Sequence, residues 1–328
     1  MIRRRNFITL LGGAAAAWPL AARAQQRTTM PVVGFLSLGT PERQASYVAA
    51  FRKGLSEAGY VEGQNLSIEY RWANNEFERL PELAADLVLR RVAVIATTPV
   101  SSALAARAAT SAIPILFSTG GDPVQAGLVA SLNRPGGNVT GVNYMQTQLA
   151  AKQLGLLHEL LPRATRFAVL VNPDNPIATA TTTAELEAAP SSIGVQVEVF
   201  RASKNDEIEN AFAVISQMRF DALLVSTGQL FSNRVEFALL AARYAVPTMY
   251  YDREFAEVGG LISYGSSLAD QYRETGTHTG RVLNGERPID IPVVQATKFQ
   301  LVINLKTAKA LGLEIPPQVL ARADEVIE

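Results

Sequence analysis

At 328 residues, 48% of them hydrophobic and 18% charged, the chain has enough apolar material for two separate cores and not the composition of a disordered segment. Lys plus Arg and Asp plus Glu each number 30, so the basic stripe that nucleic acid or an anionic lipid surface demands is missing, and no nucleic-acid partner is expected. Cysteine is absent, which removes disulfides, thiol catalysis, thiolate metal sites and a lipidated cysteine.

The first 24 residues hold Arg3, Arg4, Arg5 and Arg23 and no acid. The arginines precede an apolar run from Phe7 to Ala22, and Ala22-Arg23-Ala24 places small residues before Gln25, as at a signal-peptidase site. We read residues 1–24 as a signal peptide cleaved near Ala24, and the mature chain as periplasmic. Arg4-Arg5 before Asn6-Phe7-Ile8 resembles a twin-arginine export signal, with a Sec signal as the alternative. A retained anchor fits less well, because the run falls short of about 20 residues and Pro19 interrupts it. Removing the four arginines leaves 26 basic residues against 30 acidic ones, a net charge of −4. No later stretch is expected to insert stably in a membrane.

Strands are predicted next at Val32–Ser37, Leu66–Arg71, Ala93–Thr97, Ile113–Ser118 and Val139–Asn143, separated by Ala- and Leu-rich helices. A helix over Gln146–Leu161 then leads to strands at Arg166–Val171, Val195–Arg201, Ala222–Ser226, Pro247–Tyr251 and Leu261–Tyr264. The remainder reads as a helix from Leu268 to Asn284, a turn at Gly285-Glu286-Arg287-Pro288, a strand near Leu301–Asn304 and a short helix from Lys306. Such alternation gives parallel sheets covered by helices on both faces. The two series also superpose: Val33-Gly34-Phe35-Leu36 against Ala168-Val169-Leu170-Val171, Ile68 against Val197, Ile95 against Leu224, and Pro114 against Pro247. Either one lobe is duplicated or ordinary βα spacing mimics a repeat. The fold expected is α/β, two doubly wound parallel-sheet lobes joined by a multi-strand hinge. Lobe 1 is predicted over 28–143 plus about 265–298, and lobe 2 over 144–264 plus about 299–328.

No catalytic constellation emerges. His158 and His278 are the only histidines; neither has a partner at zinc-binding spacing, and both are expected on solvated helix faces. No GxSxG, P-loop or GxGxxG follows a strand, while Gly120-Gly121-Asp122 and Pro135-Gly136-Gly137-Asn138 lack a lysine and serve as turns. No enzyme activity, cofactor or metal is therefore expected. What gathers at the predicted strand ends is a recognition set: Ser37, Thr98, Phe117, Ser118, Asp122, Asn143, Asn172, Ser226, Thr227, Tyr250 and Asp252. Hydroxyls and free N–H groups at helix starts can hold a carboxylate, aromatic faces can clasp a ring, and Asp122 or Asp252 could pair with an ammonium. The same short polar residues are ordinary helix caps and turn formers, and Phe117 or Tyr251 equally fits a core. Two sheets with facing carboxyl edges would place a ligand between the lobes.

Several segments together carry a family resemblance: Asp122-Pro123-Val124-Gln125-Ala126-Gly127-Leu128-Val129, Pro135-Gly136-Gly137-Asn138-Val139-Thr140-Gly141-Val142, Asn172-Pro173, Ser263-Tyr264-Gly265, and Lys298 to Leu313 followed by Ala323-Asp324-Glu325. Over essentially the whole mature chain it resembles the ABC-transporter solute-binding family that includes the TrpX-type tryptophan-binding proteins. The resemblance implies a type I periplasmic-binding fold, a monomer, transmembrane permease subunits as partners, and a small-molecule solute, either an amino acid or an aromatic or other organic acid. It places the cleft at Thr98, Phe117-Ser118, Asp122, Asn143, Asn172, Ser226-Thr227 and Asp252. A periplasmic sensory module docking on a receptor, or an exported hydrolase, is the alternative.

Overall fold

A computed structural model describes residues 30–146, 149–188, 194–227 and 233–328; the expected signal peptide, 1–24, lies outside them. Val32–Glu328 form one compact unit organised around two sheets. Strands β1 (Val32–Ser37), β2 (Ser67–Trp72), β3 (Val94–Thr98), β4 (Ile115–Thr119), β5 (Val139–Asn143) and β11 (Val294–Gln295) make the first, in the order β11-β5-β4-β3-β1-β2. Strands β6 (Arg166–Val171), β7 (Gln196–Arg201), β8 (Ala222–Val225), β9 (Thr248–Tyr250), β10 (Ile262–Ser266), β12 (Phe299–Asn304) and β13 (Glu325–Ile327) make the second, in the order β13-β12-β10-β9-β8-β6-β7. Pairing is parallel except between β10 and β12. Strands β3, β4, β5, β8 and β9 are buried along their full length, which is why they read as unbroken apolar runs rather than alternating ones.

Helices α1 (Ala45–Glu57), α2 (Leu80–Leu89), α3 (Val100–Ala109) and α9 (Leu268–Leu283) cover the first sheet; α4 (Ala150–Leu160), α5 (Pro176–Ala188), α6 (Asn205–Gln217), α7 (Arg234–Arg243), α8 (Arg253–Glu257), α10 (Leu305–Ala310) and α11 (Pro317–Leu320) belong with the second. The helix expected from Gln146 starts instead at Ala150. Met145 takes a positive φ of 53°, and the Gln146 amide donates to the Tyr251 carbonyl at 2.7 Å, so these residues cross between sheets rather than wind.

The internal repeat is written in the strand registers. Gly34 pairs with Ile95, and its counterpart Val169 pairs with Leu224, so the Ile95–Leu224 equivalence stands. One strand further out, Ile95 meets Ile115 while Leu224 meets Met249. The matching residues there are Ile115 and Met249 rather than the two prolines, a slip of one position.

The chain passes between the sheets after Asn143, at Ser267, and at 296–298. Backbone carbonyls tie these crossings together: Ser266 Oγ donates to Tyr144 O (2.9 Å), the Ala296 amide to Asn143 O (2.9 Å), and Gln153 Nε2 to Tyr264 O (2.7 Å). Several short connections side by side permit a hinge rotation while fixing its axis.

Helices α1 and α9 touch through glycine. A Cβ on Gly276 would sit 2.1 Å from the Phe51 carbonyl oxygen, and one on Gly54 1.8 Å from that of Arg273, so any side chain there collides with backbone. Close approach stacks Tyr47 of α1 on Tyr272 of α9, with centroids 5.1 Å apart at 26°. The expectation that His278 lies on the surface is wrong. It is 2% exposed, because α9 packs against both α1 and the strands β3 to β5. Burial lowers its pKa, against the pull of Glu274 3.2 Å away. His158 is half-buried, edge-on to Phe167.

Candidate functional site

In an open α/β sheet each helix starts where a strand ends, so loops and first helical turns converge at the carboxyl edge. Both sheets turn that edge toward one cavity of ≈ 60 Å³. The first lobe lines it with Arg43, Gln44 and Tyr47 after β1, Pro99 and Val100 after β3, Thr119 at the end of β4 with Gly120 and Gly121 beyond it, and Tyr144 after β5. The second contributes Asn175 and Ala178 after β6, Thr227 and Arg234 after β8, and Tyr251 after β9. Leu268 and Tyr272, at the start of α9, complete the wall. Tyr47, Tyr144, Tyr251 and Tyr272 belong to a single apolar cluster that includes Phe35 and Phe51 of the first lobe and Phe237 and Phe255 of the second.

A polar bridge joins the lobes beside this cavity. Arg234 Nη2 donates to the Tyr47 hydroxyl, which donates in turn to Asp252 Oδ2. The same guanidinium lies 2.9 Å from Glu254 and 3.8 Å from Asp252, and packs over the Tyr47 ring at 5.0 Å. Glu254 also accepts from Ser46 Oγ at 3.2 Å. Burial raises the Asp252 pKa, opposed by the Tyr47 hydrogen bond and by Arg234. Burial likewise pushes up the phenols of Tyr47, Tyr144, Tyr251 and Tyr272, so all four remain proton donors near neutral pH.

The residues singled out from the sequence fall into three groups. Thr227 lines the cavity. Ser37, Thr98 and Asp252 stand directly behind lining residues: Ser37 Oγ donates to Gln44 (3.0 Å), Thr98 shares a hydrogen bond with Tyr272 (2.9 Å), and Asp252 holds Tyr47. The third group does not touch the cavity. Phe117 and Tyr250 are fully buried in the two cores, Tyr250 stacked on Phe255 at 4.5 Å. Asp122 accepts from the amides of Val124 and Gln125, and Asn143 from that of Met145, the turn-forming role such residues commonly take. Ser118 and Ser226 are buried. Asn172 lines a neighbouring space of ≈ 30 Å³ with Asn75 and Asp174, adjoining the cavity through shared Asn175.

Arg43, Tyr47, Arg234 and Tyr272 were not picked out. They sit in or just before helices rather than at strand ends. The signal available was position: the first turn and a half of a helix that follows a parallel strand overhangs the same edge as the strand's end, so aromatic and cationic residues there belong on a site list.

Two doubly wound lobes of matching strand order, with a cavity between their carboxyl edges, define the type I periplasmic-binding architecture. The chain belongs to the ABC transporter substrate binding protein family, which it matches over residues 39–327. It is 28% identical, over 266 residues, to a tyrosine-binding protein of Clostridioides difficile (strain R20291), covering 80% of this chain and 76% of that one. The ABC domain in complex with L-Trp from Streptococcus pneumonia superposes with a TM-score of 0.82 at 26% identity, covering 91% of this chain and all of that one. The ligand-free, open structure of a substrate binding protein with adhesive properties from Clostridium difficile has the same 26% identity and covers 90% of this chain and 99% of its own, yet its TM-score is 0.66. At equal sequence identity the whole chain thus superposes better on the complex than on the open form.

Proposed function

We propose that this chain is the solute-capturing component of an ABC importer: a monomer in the periplasm that closes its lobes on one compact, ring-bearing organic molecule and presents the closed form to permease subunits. The observation that carries the reading is the cavity walled by tyrosines from both lobes and flanked by the interlobe bridge. Its ≈ 60 Å³ corresponds to about five waters, which leaves room for one small ring-bearing molecule at most and none for a peptide or oligosaccharide. The relatives named for tyrosine and crystallised with L-Trp support the same size and ring chemistry.

Solute selects the closed form because contacts to both walls exist only there, and the population moves by that differential affinity. The protein performs no reaction on the solute. Thermal-shift screening of the purified protein against amino acids and aromatic acids tests this: a true solute raises the melting temperature in proportion to the logarithm of its concentration over Kd. Turnover of a bound compound, or stabilisation by none, would refute it.

A further inference from the structure

The cavity's charge inventory narrows the solute. Among the described residues its lining holds two guanidiniums, Arg43 and Arg234, four phenols, amides and hydroxyls, and no carboxylate. The segments 147–148, 189–193 and 228–232 contain no Asp or Glu in sequence, so they supply none. Of the acids beside the cavity, Asp174 lines the adjoining space rather than this wall, and Asp252 and Glu254 are committed elsewhere. Asp252 is 2% exposed, with Oδ2 taking the Tyr47 hydroxyl and Oδ1 the Glu254 amide. Glu254 is held by Arg234 and Ser46. Arg43 is under-used by comparison. Arg43 is half-buried on the cavity wall and pairs with no carboxylate among the described residues, and Arg234 Nε is buried without a hydrogen-bond acceptor.

An ammonium entering this slot would lose its water and meet guanidiniums, with no acid on the wall to receive it. A carboxylate would find a planar donor fork suited to two parallel hydrogen bonds, with tyrosine hydroxyls beside it. We infer that the solute is a ring-bearing carboxylate that carries no ammonium group, bound through Arg43. This rests on the importer reading and specifies its ligand.

Matched pairs decide it. Titration calorimetry on the full chain compares 3-(4-hydroxyphenyl)propanoate with L-tyrosine, 3-phenylpropanoate with L-phenylalanine and indole-3-propanoate with L-tryptophan; tyramine serves as the compound lacking a carboxylate. At least one acid should bind about tenfold or more tightly than its amino acid, tyramine should not bind, and Arg43→Gln should weaken the acid by a similar factor with an unchanged unfolding temperature. An amino acid that binds as tightly as its acid overturns the inference and leaves the importer reading intact, as does preference for a solute that bears an ammonium or lacks a carboxylate, or an Arg43→Gln protein with undiminished affinity. If no small solute of any class binds, both fall.

Discussion

Tyr47 shows how much a single hydroxyl can be asked to do. It accepts from Arg234 and donates to Asp252, both on the opposite lobe, so these two hydrogen bonds exist only when the lobes meet. Tyr47→Phe leaves a buried carboxylate oxygen without its donor in the closed form alone, a loss of about 1–3 kcal/mol. Solute affinity should therefore fall about tenfold or more by calorimetry, while denaturant unfolding of the free protein changes little. His278 acts on stability instead. Its pKa is depressed by burial, so the folded state resists protonation: the stability it supports is complete above the unfolded value of about 6.5 and is lost as pH falls through that value toward the folded one. A wild-type melting temperature that drops between neutral and mildly acidic pH more steeply than that of His278→Leu is the expected result. Glu274, Arg281 and Glu286 also act on this imidazole, and none of them changes in that variant.

At the scale of elements, the seam between α1 and α9 sets the site. The two helices are far apart in sequence, yet the Tyr47–Tyr272 stack exists only because Gly54 and Gly276 let the backbones touch. Gly276→Ala places a methyl against the Phe51 carbonyl and should cost about 1–3 kcal/mol in chemical denaturation, with weaker solute binding as the stack shifts. The ten main strands were legible because central parallel strands announce themselves as apolar runs, and all of them fall within two residues of expectation. The strand β13 (Glu325–Ile327) was not. Its three half-buried residues carry no run of their own, and it forms because the preceding strand β12 presents a free edge. The cavity was half legible: Thr227 and the shell at Ser37, Thr98 and Asp252 lie at strand ends, whereas Tyr47 and Tyr272 depend on how two helices dock, which local pattern does not report.

For the molecule as a whole, the proposed capture would make closure and binding one event through the bridge and the tyrosine walls. The apolar cluster that holds Tyr47, Tyr144, Tyr251 and Tyr272 runs unbroken from one lobe into the other. When the halves separate, that continuity must be cut and both faces wetted. Hydration of freshly exposed aromatic surface raises heat capacity, so capture of solute by an open protein should release it again. Calorimetry across a range of temperatures should give a negative heat-capacity change larger than the solute's own buried area accounts for; a slope no steeper than that area predicts would mean the halves were already joined before the solute arrived. Binding tuned in this way would grow more exothermic with warmth, making its enthalpy a thermometer for how far the protein opens at rest.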